Sequence, residues 1–325
     1  MSLLNAHTLP RIFTWHIHGS YLYYLSQGSY EIFIPVDRGR SEGYCGRGNT
    51  IPFGENVHEV AAEKVKEMSF DCILFQSQQN YITDQYEILS PVQRALPRIY
   101  VEHDPPRKHP TDTRHVVDDP EVILVHVTHF NKLMWENPSG LVKVIEHGVT
   151  PPAVAYSGIL EKGVVVVNNL PKRGRRLGAD IFLEARKHIP LDLVGMGSEA
   201  FGGLGEVPLT ELPAFLSRYR FFFNPIRYTS LGLSVCEAMM LGMPVIGLAT
   251  TEMVTVVENG VTGYVDTDPH ALLTKMKALL QHRELAERLG SAGKKVAEER
   301  FGIHRFTREW AHLFHVALKR NEVFS

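Results

Sequence analysis

Cysteine is scarce in this chain: Cys45, Cys72 and Cys236 are three among 325 residues, odd in number and far apart. Such spacing excludes a disulfide scaffold, fits a reducing compartment and offers no structural-zinc pattern. Long apolar runs are missing too, and none approaches the roughly 20 residues that cross a bilayer. The opening MSLLNAHTLPRIF lacks a charged segment followed by an apolar run and a cleavage site, so the expectation is a cytoplasmic protein. Net charge is nearly absent, at −2 from 34 Lys and Arg against 36 Asp and Glu, with a pI near 6.8. No overall field draws nucleic acid or anionic lipid, and no nucleic-acid partner is expected. A local patch, including one that touches a membrane surface, stays open.

What is present is enough apolar residue, 44% of the chain, to bury two cores. Short apolar runs bounded by turn residues alternate with helical patterns, the signature of parallel sheets covered by helices. Strands are expected at residues 11–17, 31–36, 72–76, 98–102, 122–127 and 142–145, with helices clearest at 57–68 and 90–95. TPPAVAYSG at 150–158 breaks the periodicity with two prolines and reads as a linker. A second series follows, with strands at 163–167, 191–194 and 220–224 and helices at 178–187 and 209–216. Charged amphipathic helices are then expected at 270–281, 285–299 and 305–320. In the last, Phe306, Trp310, Leu313, Phe314 and Ala317 form one apolar face.

The most informative stretch is TSLGLSVCEAMMLGMPVIGLATTEMVTVVENGVTG, residues 229–263. Gly232 precedes an apolar helix pattern, so backbone N–H groups and the positive dipole end of that helix face whatever sits above the turn. Glu237, one turn later, interrupts the apolar face, and a carboxylate there calls for a hydroxyl or amide partner such as a ribose diol.

This segment resembles the donor-site signature of GT-B glycosyltransferases, in particular the large retaining family (family 4, group 1 type) with the pattern EGFGLxxxEAMAxGxPVI. The resemblance implies an α/β fold of two Rossmann-like lobes facing across a cleft, with a C-terminal helix crossing back to the first lobe. It places an acceptor-side lobe at 1–152, a nucleotide-sugar lobe at 153–304 and the crossing helix at 305–325. It implies metal-independent, retaining transfer from a nucleotide diphosphate sugar, a co-substrate rather than a resident cofactor, to a sugar, glycan or other acceptor. Glu237 would hold the ribose, while Gly232, Leu233 and Ser234 would hold the phosphates. Thr229 stands where the family has its first glutamate. Thr251, Glu252 and Thr255 stand where it has Gly, Gly and Glu.

Basic residues cluster in LPKRGRR, where the resemblance assigns Lys172, Arg173 and Arg176 to the donor diphosphate; a solvated basic loop or a nucleic-acid patch is the plain alternative. His103 falls at the end of a strand, where open α/β sheets place ligands, and it resembles the family's HD near the donor sugar or acceptor. It is the candidate catalytic residue. Gly19, in the turn after the first strand, and Gly197, in LVGMG, complete the expected donor contacts. The neighbouring Asp104, His109, Asp112 and His115 match no standard metal spacing. Two further readings stay open, a nucleotide-sugar-binding protein with little turnover and another GT-B sugar-nucleotide enzyme.

Overall fold

The computed structural model describes residues 9–324, so most of the opening segment weighed for a leader lies outside the described residues. The chain forms two compact units, Met1–Glu146 with His304–Ser325, and His147–Ile303.

The first unit holds seven strands: β1 (Arg11–Thr14), β2 (Glu31–Val36), β3 (Val57–Ala61), β4 (Cys72–Phe75), β5 (Arg98–Glu102), β6 (Val122–His126) and β7 (Val142–Val144). They lie in the order β3-β2-β1-β4-β5-β6-β7, and each adjacent pair is parallel. All four residues of β4 and all five of β6 are buried, because helices cover both faces of such a sheet and remove any alternation. The helix expected at 57–68 is instead strand β3 followed by a 3-10 turn, Ala62–Glu67. Val57, Val60 and Val65 recur at near-helical spacing, but VHEVA pairs with β2 as the sheet edge. Pairing with a formed neighbour outweighs a short local pattern.

The last helix, Ile303–Phe324, enters the first unit from His304 onward. Phe306, Trp310, Leu313, Phe314 and Ala317 are all buried, as their spacing predicts. Phe306 meets Tyr21 edge-on at 5.6 Å and Phe314 meets Tyr30 at 5.0 Å.

The second unit is a five-stranded parallel sheet of β8 (Leu160–Val166), β9 (Leu191–Val194), β10 (Tyr219–Asn224), β11 (Val245–Leu248) and β12 (Gly263–Asp266). Its spatial order is β12-β11-β10-β8-β9. Helices Ala179–Ala185 and Pro269–Gln281 share one buried cluster with the sheet. Helix Leu233–Leu241 packs on Arg283–Arg300 so closely that a Cβ on Gly290 would come within 1.9 Å of the Gly242 carbonyl. Residues 150–158 lie within this unit. Ser157 and Gly158 donate their N–H groups to the Ser217 carbonyl at 2.8 and 3.0 Å, and Tyr156 Oη donates to Arg220 O at 2.6 Å.

His126, at the end of β6, is fully buried and lies 2.6 Å from Asn137 Oδ1 through Nε2. Desolvation pushes its pKa down to about 4, against the opposing bond to Asn137. The fold thus favours neutral His126, and the unfolded chain binds the proton first as pH falls. Stability is therefore present near neutral pH and is lost between about 6.5 and 4, by up to about 3 kcal/mol. Replacing His126 with Gln should flatten the fall of Tm across that window relative to the parent. Parallel Tm curves for the two proteins would show that another group governs the acid response.

Candidate functional site

In the second unit the chain winds outward in one direction from β8 to β9 and in the other from β10 to β12, so the order reverses between β8 and β10. Ligands of open α/β sheets bind outside the carboxyl ends of the strands at such a reversal. The loop after β8 holds LPKRGRR and the loop after β10 holds TSLG, so topology alone sets two of the sequence motifs side by side. They touch. Gly178 has φ +83°, and a Cβ there would fall 2.0 Å from the Pro225 carbonyl oxygen. Any side chain at 178 would drive the loops apart. The Arg176 carbonyl accepts N–H bonds from Arg227 at 3.1 Å and Tyr228 at 3.3 Å, and Arg176 Nη1 donates to Tyr228 O at 3.3 Å.

The loop after β10 delivers Gly232 as the cap of helix Leu233–Leu241, in extended conformation. Six of the nine helical residues are buried, from Val235 and Cys236 to Ala238–Leu241, while Leu233, Ser234 and Glu237 are half-buried. Spacing of three and four residues places these last on one face. That face holds the helix's carboxylate, Glu237, beside the first-turn N–H groups that no helical carbonyl reaches. Gly232 has no positive φ, and the nearest atom to an added Cβ is Ser234 Oγ at 3.4 Å. Neither backbone strain nor crowding by the protein accounts for a glycine here. Gly197 differs, with φ +65° and Asn169 Oδ1 only 2.8 Å from an added Cβ. Packing of the β8 and β9 loops explains it.

Side chains from several elements hold the carbonyls of the loop after β10. Thr250 Oγ1 donates to Ile226 O at 3.2 Å and Thr251 Oγ1 to Ser230 O at 3.4 Å. Buried His147 donates from Nε2 to Leu231 O at 2.8 Å, one residue before Gly232. Asn168 Oδ1 accepts the Met196 N–H at 3.0 Å, and the Asn169 N–H bonds Met196 O at 2.6 Å. Of these residues the sequence marks Thr251, as a departure from the family pattern. The basic cluster divides. Arg175 turns to Asp180 at 2.6 Å, which Arg227 also grips at 2.6 and 2.7 Å. Arg176 lies half-buried against the β10 loop, while Lys172 and Arg173 are exposed on the short helix Leu170–Arg173.

The departures from the family pattern fall beside this loop. Thr229 is half-buried within it. Thr251 has φ +52°, a left-handed conformation that glycine adopts freely and a β-branched residue adopts at a cost. The backbone has thus kept a conformation suited to the glycine that the resemblance places there. Glu252 is 2% exposed and pairs with Arg300 at 3.0 Å, and Thr255 Oγ1 donates to the same carboxylate oxygen at 2.8 Å. Arg300 also donates to Thr255 O at 2.7 Å. The carboxylate that the resemblance sets at 255 therefore stands one turn earlier, in a buried ion pair.

In the first unit His103 follows β5, half-buried, its ring 4.0 Å from that of His18 and 4.6 Å from that of Tyr21. Burial raises the Tyr21 hydroxyl far above its ordinary pKa, so it stays protonated. Gly19 begins helix Gly19–Leu25, where an added Cβ would lie 2.9 Å from His16 Nε2; the His16 side chain explains the glycine. Gly19 and His103 thus share the first unit, and the other candidate residues lie in the second. Among the described residues no group of three or more His, Cys, Asp or Glu side chains is gathered as a metal would require.

Removing Arg300 tests the role of Glu252. Arg300→Met should cost about 3–5 kcal/mol in urea unfolding, because it leaves a carboxylate buried without its cation. Adding Glu252→Gln should recover most of that loss. A Glu252→Gln single variant that keeps its Tm yet loses donor turnover would instead place this carboxylate in the chemistry.

Residues 198–296 match the family model described as Glycosyl transferases group 1. Comparison with curated proteins finds no match. Among solved structures, sucrose-phosphate synthase from Thermosynechococcus elongatus is 14% identical with a TM-score of 0.71, covering 96% of this chain and 100% of its own. HepE from Anabaena, in complex with UDP and glucose, is 14% identical with a TM-score of 0.67, covering 95% and 100%. A glycosyltransferase from Rickettsia africae is 13% identical with a TM-score of 0.67, covering 96% and 100%. Likeness at such low identity establishes the fold. The chain has the GT-B fold of these structures, and residues 198–296 of its second unit are similar to the glycosyl transferases group 1 domain.

Proposed function

We propose that the second unit binds a nucleoside diphosphate sugar at the reversal between β8 and β10, and that the sugar passes to a sugar or glycan acceptor with retention of configuration. The observation that carries this reading is the single accessible polar face of helix Leu233–Leu241. Ser234 and Glu237 stand there beside the helix N-terminus and an open Gly232, with Arg176 across the loop. A diphosphate gains charge as its bond to the sugar breaks, and N–H groups and cations fixed in advance stabilise that charge without reorganising. Glu237 accepts hydrogen bonds from the ribose hydroxyls. Lys172, Arg173 and Arg176 neutralise the leaving diphosphate, in chemistry that uses no metal. His103 is the proposed substrate-contacting residue of the first unit. UDP-glucose is the first donor to test, since HepE was solved with it. Three widely spaced cysteines, odd in number, support a reducing compartment such as the cytoplasm.

A second reading, a binding protein with slow turnover, is favoured by Thr229 and by Glu252. Thr229 supplies a hydroxyl but no charge near a developing oxocarbenium-like centre, and Arg300 already engages Glu252. Hydrolysis of bound UDP-glucose separates the two readings.

Calorimetry tests donor binding. Glu237→Ala should weaken UDP binding by about 10- to 100-fold, the scale of a hydrogen bond to a charged group at 1.5–3 kcal/mol. UDP binding unchanged in a folded Glu237→Ala protein would remove the ribose assignment.

Exchanging Arg173 and Arg176 together for Ala should reduce affinity for UDP far more than for uridine. Equal losses for both ligands would indicate a folding defect, and no loss for either would make LPKRGRR a solvated turn.

A further inference from the structure

The residues around His103 form a closed circuit that the donor chemistry does not use. Glu102 ends β5, and its Oε1 accepts the Asp104 N–H at 2.8 Å. Its other oxygen lies 3.1 Å from Nε2 of His115, whose side chain is fully buried. The Nδ1 of His115 accepts the Val117 N–H at 3.1 Å, so the imidazole proton sits on Nε2 and is donated to Glu102. Trp135, just after helix His129–Met134, donates its indole N–H to Asp104 O at 2.9 Å and meets the His115 ring edge-on at 5.0 Å. The peptide groups on both sides of the Asp104 Cα are thus anchored, one by Glu102 and one by Trp135. The first of them is the His103–Asp104 peptide, whose plane sets ψ of His103. Fixing it directs the imidazole toward His18 and Tyr21.

We propose that Glu102, His115 and Trp135 are positioning residues that hold His103 in its working orientation. The proposal rests on the reading of His103 as a substrate-contacting residue, and it assigns a purpose to the polar network built around the buried His115 beside it. The exposed contact of Asp104 with Arg107 at 2.5 Å adds little, since water competes for both groups. The part-buried arms around the buried His115 matter more, because each donor in them faces one matched acceptor.

The circuit makes an isosteric change damaging. In Glu102→Gln the new amide either turns its NH2 toward the Nε2–H of His115 or turns it toward the Asp104 N–H. Both place donor against donor. His115 cannot escape by changing tautomer, because its Nδ1 already faces the Val117 N–H.

The test uses the full chain, with His103 imidazole NMR signals assigned by their loss in His103→Gln and with UDP-glucose hydrolysis as the turnover probe. Glu102→Gln and Trp135→Phe should each move the His103 signals. Each should lower kcat by about 10- to 100-fold, the scale on which a misplaced group acts, with little change in donor KM. Neither should cause further loss in a His103→Gln background. His103 signals left where the parent has them in both variants, or losses that add to that of His103→Gln, would overturn the cradle. A fully active His103→Gln would remove the substrate-contact reading instead, while the position of the signals in the other variants still decides whether the cradle holds the ring. Trp135→Phe keeps an aromatic ring against His115, so it provides the answer should Glu102→Gln fail to fold.

Discussion

The second unit depends on how closely two loops approach one another at the carboxyl end of its sheet. Between Gly178 and the Pro225 carbonyl there is no room for a methyl group. The contact sets the basic loop against the segment that leads into helix Leu233–Leu241, with the Arg176 carbonyl bonding both Arg227 and Tyr228. Tertiary packing then does the rest, since that helix is buried on nearly every side and its N-terminus cannot turn away. A phosphate site made from backbone groups needs such a fixed frame, because the groups themselves carry no rotamer to adjust.

The altered signature residues share one physical logic. A carboxylate placed at 252 sits among buried atoms, and its cost falls only because Arg300 and the Thr255 hydroxyl meet it. Thr251 keeps a backbone angle that suits glycine while its hydroxyl reaches the Ser230 carbonyl. These changes leave the course of the backbone intact and exchange the side chains that line it. Binding that uses main-chain N–H groups tolerates such exchange better than chemistry that needs one acid at one place.

Much of the second unit was legible in the sequence because its elements are local. The boundaries of β9, and in the first unit the burial of the Phe306, Trp310 and Phe314 face, follow from runs and spacings a few residues long. Strand β3 was not legible as a strand, since its pairing with β2 is set by residues about 25 positions away. The same limit hid the Glu252–Arg300 pair, separated by 48 residues, and the bond from His147 to Leu231, separated by 84. His103 could be marked by its place at the end of β5. The indole of Trp135, 31 residues from Asp104, has no local pattern to announce it.

The glycines show how packing and ligand contact separate once coordinates are in hand. In sequence Gly19, Gly197 and Gly232 are alike, each a small residue in a turn and an expected donor contact. In the fold His16 crowds the first, and Asn169 together with a left-handed angle requires the second. Gly232 meets neither demand, so the space above it serves something outside the protein or serves nothing. Alongside stand Ser234 and Glu237, on the only accessible face of a helix that could otherwise have been apolar all round. The helix therefore presents a half-buried carboxylate next to a glycine that neither its backbone angle nor its protein neighbours require.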